Sequence, residues 1–299
     1  MTKEIKTDLV VIGSGPGGYT AAFRAADLGQ KVVLVERYDS LGGVCLNVGC
    51  IPSKALLHIA KILDESRDMG AHGIAFAEPK IDSEKVVNWK NSVVKKLTGG
   101  LNALAKQRKV EVVTGDAQFS GANQVVAKTK EGDIKIDFKN AIIAVGSESV
   151  NLPFIPEDKR IFSSTGALEL ADIKGNLLVL GGGIIGLEMA TVYAALGVDV
   201  TVVEFMDQLM PGADADVVNV LQKRMSKKGV KFLLKTKVTN IEAKKDGLYV
   251  TMEGEHQTDK PMCFKQVLVA VGRKPNGGNI AAAKAGVDVE QFIETIKTG

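Results

Sequence analysis

The sequence predicts an α/β protein of two similar three-layer units, each with a parallel central sheet between layers. Three observations predict it. A strand–glycine turn–helix–strand pattern occurs twice, with Gly181 following Gly13 by 168 positions. The chain has 299 residues, 45% of them apolar, which is enough to build two cores. Each half also closes on a second apolar run, Asn140-Ala-Ile-Ile-Ala-Val-Gly146 and Gln266-Val-Leu-Val-Ala-Val-Gly272, as a buried parallel strand would.

The first copy of the pattern reads Leu9-Val-Val-Ile-Gly13-Ser-Gly15-Pro-Gly-Gly18, and the second Leu177-Leu-Val-Leu-Gly181-Gly-Gly183-Ile-Ile-Gly186. The register continues: Gly29 matches Gly197, Val32–Val35 match Val200–Val203, and Glu36 matches Glu204. Each copy is a Rossmann-like dinucleotide-binding βαβ unit. Gly13 and Gly181 allow the tight turn. Gly15 and Gly183 carry no side chain, so backbone can approach a pyrophosphate, which then meets the amides at a helix N-terminus. Gly18 and Gly186 let helix and strand pack closely. Glu36 and Glu204 can accept hydrogen bonds from ribose hydroxyls. One such glycine turn is weak evidence; two in the same context, with the acid placed alike, are not. Two sites imply two dinucleotides. Glu204 would repel a 2′-phosphate and no Arg lies in Phe205–Leu209, so NAD is favoured over NADP at the second site.

Between the copies, residues 82–108 place Val86, Val87, Val93, Val94, Leu97, Leu101 and Leu104 near helical spacing, which predicts a helix. Residues 110–145 alternate as strands, with turn signals at Gly121-Ala-Asn123 and Glu131-Gly-Asp133. The chain turns proline-rich at Pro153–Pro156, where a boundary falls. The expected domains are 1–150, 151–272, and a short third segment, 273–299.

Several function classes are excluded. Charged residues are 24%, mixed in sign, with a net charge of +3 and no basic block, so no nucleic-acid footprint is present. Aromatics are 5%, too few for a base-stacking surface. The N-terminus is polar, and the run Leu9–Ile12 is far shorter than a signal-peptide core. No stretch is expected to approach the roughly 20 apolar residues of a membrane span. A cytoplasmic protein is expected, and its three cysteines are no secreted disulfide framework.

Two of those cysteines lie close together, in Leu41-Gly-Gly-Val-Cys45-Leu-Asn-Val-Gly-Cys50-Ile-Pro-Ser-Lys54. A disulfide needs Cα atoms about 4.4–6.8 Å apart. Five helical steps rise about 7.5 Å, so the chain would have to turn more tightly than a helix, and Gly49 permits that. So small a loop gains little stability from closure. An accessible, strained bond is readily reduced, which suits catalysis better than stapling. Zinc is a poor alternative, because His58, His72 and His256 stand at no ligand spacing from the cysteines. Two incidental buried thiols remain the bland reading. Cys263 is read as incidental in a polar loop, and His58 as a packed helical side chain. On residue type alone, Lys54 and Glu188 read as surface helix charges.

The cysteine segment resembles the redox motif of the pyridine nucleotide–disulfide oxidoreductases, and Val44, Leu46 and Ile51 make it most similar to the dihydrolipoamide dehydrogenase branch. Further matches are Leu97-Thr-Gly-Gly-Leu101, Thr165-Gly-Ala-Leu-Glu-Leu170, Gly-Gly-Gly-Ile-Ile-Gly-Leu-Glu188 and Ala-Val-Gly-Arg273-Lys-Pro-Asn276. The resemblance implies FAD in the first domain and NAD in the second. It implies that Cys45 exchanges with the dithiolane and that Cys50 lies against the flavin. It implies Lys54 near the reactive flavin nitrogen, paired with Glu188, and Arg273 lining the nicotinamide side. Glu36 would bind the FAD ribose and Glu204 that of NAD, with Gly146 and Gly272 closing the sites. Dihydrolipoamide would then be oxidised with NAD as acceptor. The implied partner is a lipoyl domain of a 2-oxoacid dehydrogenase complex or the glycine cleavage system, and the family is homodimeric. Two departures stand out: Val145 replaces a usual Thr, and Ser147-Glu-Ser149 a usual Ser-Arg-Pro. The family's C-terminal Gly-Asp strand and its interface domain, with a His–Glu pair, have no match here. Two readings follow: an enzyme seen in part, or a nucleotide-binding fragment with little turnover.

Overall fold

The computed structural model describes residues 3–171 and 173–289. Contacts divide the chain into two units. One comprises Met1–Ile51, Ser92–Glu148 and Lys274–Gly299; the other comprises Pro52–Asn91 and Ser149–Arg273.

The first stretch of chain forms β1 (Lys3–Ile12), α1 (Pro16–Asp27), β2 (Val32–Glu36), α2 (Gly43–Val48), α3 (Cys50–Asp68), α4 (Ser83–Gln107), β3 (Glu111–Thr114), β4 (Asp116–Gly121), β5 (Gln124–Thr129) and β6 (Gly132–Ile143). The first unit's sheet runs β3-β2-β1-β6-β5-β4. Its first four strands are parallel; β5 and β4 add antiparallel hairpins. Alternation along β1 sorts the core by face, since successive side chains point oppositely. Leu9 and Val11 pack with Ala22 and Phe23 of α1 and with Leu101 and Ala105 of α4. Val10 and Ile12 pack on the other face with Phe119, Ile136, Ile280 and Ala282. The expected helix over 82–108 is α4. The run 140–146 was expected to be a buried strand. It does pair in parallel with β1, but Ile142 is 37% exposed, although it lies level with Val11 on the face that α1 and α4 cover.

After β7 (Ser147–Ser149), which straddles the boundary, the second unit contains β8 (Ile161–Ser163), α5 (Ser164–Ala167), β9 (Asn176–Leu180), α6 (Ile184–Ala195), β10 (Asp199–Val203), α7 (Ala215–Lys227), β11 (Lys231–Leu233), β12 (Thr236–Ala243), β13 (Leu248–Gly254), β14 (Met262–Phe264) and β15 (Gln266–Val269). A last strand, β16 (Arg273–Pro275), pairs with β7, and both strands, like α3 and α4, cross a unit boundary. The central sheet, β11-β10-β9-β15-β8, is wholly parallel. On one face lies α6, nearly all apolar, with Leu187, Met189, Val192 and Tyr193 buried. The antiparallel sheet β12-β13-β14 contributes Ile241, Leu248, Val250 and Phe264 to a core shared with Leu178, Leu180 and Val267 of the parallel sheet. Lys90, 2% exposed, donates from Nζ to the Leu168 carbonyl at 2.9 Å and to Glu169 Oε1 at 3.3 Å, so backbone and a carboxylate just past α5 hold its ammonium. Cys263, expected in a loop, stands exposed in β14, where the strand pairing of Tyr249 with Cys263 draws it into the sheet.

The helical run 43–72 is long and apolar enough in composition to cross a membrane, contrary to the expectation that no stretch would be. It is broken at Gly49, and the fold buries Leu46, Leu56 and Ala60 of it.

Candidate functional site

The two glycine turns are built alike to the level of atoms. Leu9 pairs with Val32 in the first unit, and Leu177 with Val200 in the second, so both copies hold the same register. Gly13 has φ +97° and Gly181 φ +107°, in the region that favours glycine. Added Cβ atoms there would sit 2.3 Å from the Ala144 carbonyl oxygen and 2.5 Å from that of Ala270. Gly18 and Gly186 are tighter: their Cβ atoms would fall 1.8 Å from the Gly13 oxygen and 2.2 Å from the Gly181 oxygen. Gly15 and Gly183 instead face open space, with nothing within 4 Å. They are the N-caps of α1 and α6, whose first amides have no intrahelical partners. A pyrophosphate fits this geometry: bare glycine, open volume and a helix N-terminus converge.

The acidic residues complete each cradle. Glu36 accepts from the Ser14 backbone N–H at 2.9 Å, the Ser14 hydroxyl at 2.5 Å and the Tyr38 N–H at 3.0 Å. Glu204 accepts from the Gly182 N–H at 2.7 Å and the Met206 N–H at 2.9 Å. Ser14 and Gly182 are matched positions, as are Tyr38 and Met206. A carboxylate offers about four lone-pair sites, so each keeps capacity for a ribose hydroxyl.

The correspondence continues beyond Glu36 and Glu204. Gly42 N–H donates to the Ser14 carbonyl, and Met210 N–H to that of Gly182, both at 2.9 Å. Leu41 and Leu209 are both buried beside their turns. The signal was present as Glu36-Arg-Tyr-Asp-Ser-Leu41 against Glu204-Phe-Met-Asp-Gln-Leu209, which share Glu, Asp and Leu.

The cysteines sit on two helices that meet at Gly49. Cys45 is half-buried in α2, and Cys50 begins α3 and is exposed. The chain doubles back between them: a Cβ on Gly49 would lie 3.3 Å from Cys45 Cα and 2.9 Å from the Val44 oxygen. Lys54, one turn along α3, donates from Nζ to Glu188 Oε1 of α6 at 2.9 Å. Both belong to the second unit. Glu188 is the less exposed partner, at 22% against 64%. His58 is exposed on α3 rather than packed, because Ala55, Leu56 and Ala60 take the buried face.

At the ends of the closing strands, Gly146 has φ +66° and Gly272 φ +130°. Their carbonyls accept from Asn276 N–H and Val150 N–H, at 3.0 and 3.1 Å. Arg273 reaches Ser149 Oγ at 3.5 Å. Glu148, where the family usually has Arg, forms a 2.9 Å ion pair with Lys274 across the β7–β16 strand pair.

Comparisons with known proteins agree with this geometry. The family model described as pyridine nucleotide-disulphide oxidoreductase matches residues 7–298. The chain is similar to the dihydrolipoyl dehydrogenase of Vibrio cholerae serotype O1, with 55% identity over 99% of this chain and 63% of that protein. It is similar to that of Haemophilus influenzae, with 56% identity over the same shares. It therefore spans about 63% of the length of these relatives. Among solved structures, the Cu(II) complex of the HOCl-induced flavoprotein disulfide reductase RclA from Escherichia coli superposes with a TM-score of 0.81. That match has 28% identity and covers 96% of this chain and 60% of the other.

Proposed function

Because the chain belongs to the pyridine nucleotide–disulphide oxidoreductase family, we propose that it carries the nucleotide and disulfide sites of a dihydrolipoyl dehydrogenase. The observation that carries this reading is the pair of matched cradles, the first leading directly into the cysteine segment. The first unit holds FAD, through Gly13, Gly15, Gly18 and Glu36, and the second holds NAD, through Gly181, Gly183, Gly186 and Glu204. Bound FAD supplies a two-electron carrier between thiols and nicotinamide. Cys45 exchanges with the lipoyl thiols: a substrate thiolate attacks Cys45 Sγ, the Cys45–Cys50 bond breaks, and Cys50 leaves as thiolate. The second substrate thiol then closes the lipoyl disulfide, leaving both cysteines reduced. Bound FAD and NAD would carry those two electrons onward. Glu188 holds the Lys54 ammonium in place, and Arg273 would line the nicotinamide side. The partner is a protein-borne lipoyl group, met in the reducing cytoplasm.

A second reading is two nucleotide sites without turnover. One experiment separates the two. The purified chain is mixed with FAD, desalted, and its visible spectrum recorded before and after anaerobic dihydrolipoamide. A retained flavin band that bleaches with dithiol and returns with NAD supports the enzyme. A retained band that never bleaches supports the second reading, and no retained flavin defeats the FAD assignment.

A further inference from the structure

The two cradles differ at one matched position, and that position touches the redox segment. Ser14 is fully buried. Its hydroxyl donates to Glu36 Oε2 at 2.5 Å and accepts from Gly42 N–H at 3.2 Å. Gly42 is the N-cap of α2, and Leu46 N–H donates back to its carbonyl at 3.3 Å, starting the helix that carries Cys45. Gly43 lies over the turn so closely that a Cβ there would be 2.6 Å from Gly15 Cα. One hydroxyl thus joins the ribose-binding carboxylate to the first residue of the cysteine helix. In the second unit the matched residue is Gly182, and the space that its side chain would take is filled by Leu209 Cδ2, 2.6 Å from the Cβ position. Glu204 there accepts from the backbone N–H groups of Gly182 and Met206. Ala213 and Val218 stand at the positions matched to Cys45 and Cys50.

We propose that Ser14 is a positioning residue that couples occupancy of the first nucleotide site to the placement of Cys45. The inference rests on reading the first unit as a nucleotide site. A ribose diol binding to Glu36 shares the carboxylate oxygens that hold the Ser14 hydroxyl. Hydrogen bonds in a buried chain polarise one another, so the change passes to Gly42 and to the start of α2.

ADP is the suitable probe, because it fills a cradle without a flavin ring that could shield the thiols directly. Alkylation rates of Cys45 are measured by mass spectrometry, with Cys263 of the second unit as internal reference. Saturation is established by equilibrium dialysis. In the unmodified chain, ADP is expected to change the Cys45 rate by about tenfold, and in Ser14→Ala by less than about twofold, the range set by one lost hydrogen bond. An equal ADP effect in both proteins, or none in either despite binding, overturns the proposal. If ADP does not bind the unmodified chain, the nucleotide reading fails instead, and the ADP-free rates decide. Ser14→Ala should then react at Cys45 at least about threefold faster relative to Cys263; equal rates overturn the proposal.

Discussion

A methyl group placed on Gly49 would lie 2.9 Å from the Val44 carbonyl oxygen and 3.3 Å from Cys45 Cα. Backbone on one side and a thiol-bearing residue on the other leave little room to yield, so the turn must open. Gly49→Ala is therefore expected to slow oxidation of the Cys45, Cys50 pair by about tenfold or more, since disulfide geometry tolerates little extra separation. Thiol titration during exposure to oxidised dithiothreitol measures it, and an unchanged rate would show that Gly49 does not set the pair. Glu204 gives a second test at this scale. Its carboxylate would face a 2′-phosphate with like charge, so Glu204→Ala should narrow the preference for NADH over NADPH. Fluorescence titration of both cofactors checks this, and equal affinity in the unmodified chain would refute the charge argument. Asp158 gives a third. Its carboxyl is held down at about 2 by hydrogen bonds from the Arg160 side chain and backbone. A depressed carboxylate stabilises the fold above its unfolded value, near 3.8, and loses that contribution as pH falls toward about 2. The stability gap between the native chain and Asp158→Asn should shrink across that window in acid-unfolding curves.

At the scale of elements, the helix–strand approach at each turn predicts separable damage. A Cβ on Gly18 would meet the Gly13 oxygen at 1.8 Å, and one on Gly186 the Gly181 oxygen at 2.2 Å. Each alanine must push its own helix off its own strand. Such overpacking typically costs about 1–3 kcal/mol or more. Gly18→Ala should abolish flavin retention while NADH binding persists, and Gly186→Ala the reverse; spectra and NADH fluorescence on both variants read it out. Much at this scale was legible in the sequence. Hydrophobic periodicity located α4, and glycine spacing located α1 and α6, because both depend on local geometry. The break between α2 and α3 was visible only as a need for tight turning at Gly49. The exposure of Ile142 was not legible, since an apolar run states what a strand is made of and not what covers it. Ser14 was overlooked because in a glycine fingerprint the intervening positions look arbitrary until a side chain is seen to reach Glu36.

For the whole molecule, residues 52–91 group with the second unit although they precede it by a long stretch of chain. Periodicity could not show this, because α3 and α4 each run unbroken through a unit boundary. Lys90, a charge that sequence alone reads as solvated, is the buried anchor of that segment on the Leu168 carbonyl. With two units, unfolding need not be a single transition. NADH at 100 times its dissociation constant should stabilise the unit that binds it by about 2.7 kcal/mol. Calorimetry should show one transition moving with NADH and, when the units melt apart, the other staying; movement of neither would argue against the second cradle. The segmentation also has a consequence in time. Ile280 and Ala282 lie in the first unit's core beside Phe119 and Ile136, yet all of Ser149–Arg273 is made before them. At about 5–20 residues per second on the ribosome, that interval is roughly 6–25 s. For that long the first sheet waits with one face unfinished while the second unit is made, so the nascent chain should bind a hydrophobic-surface chaperone until Ile280 emerges.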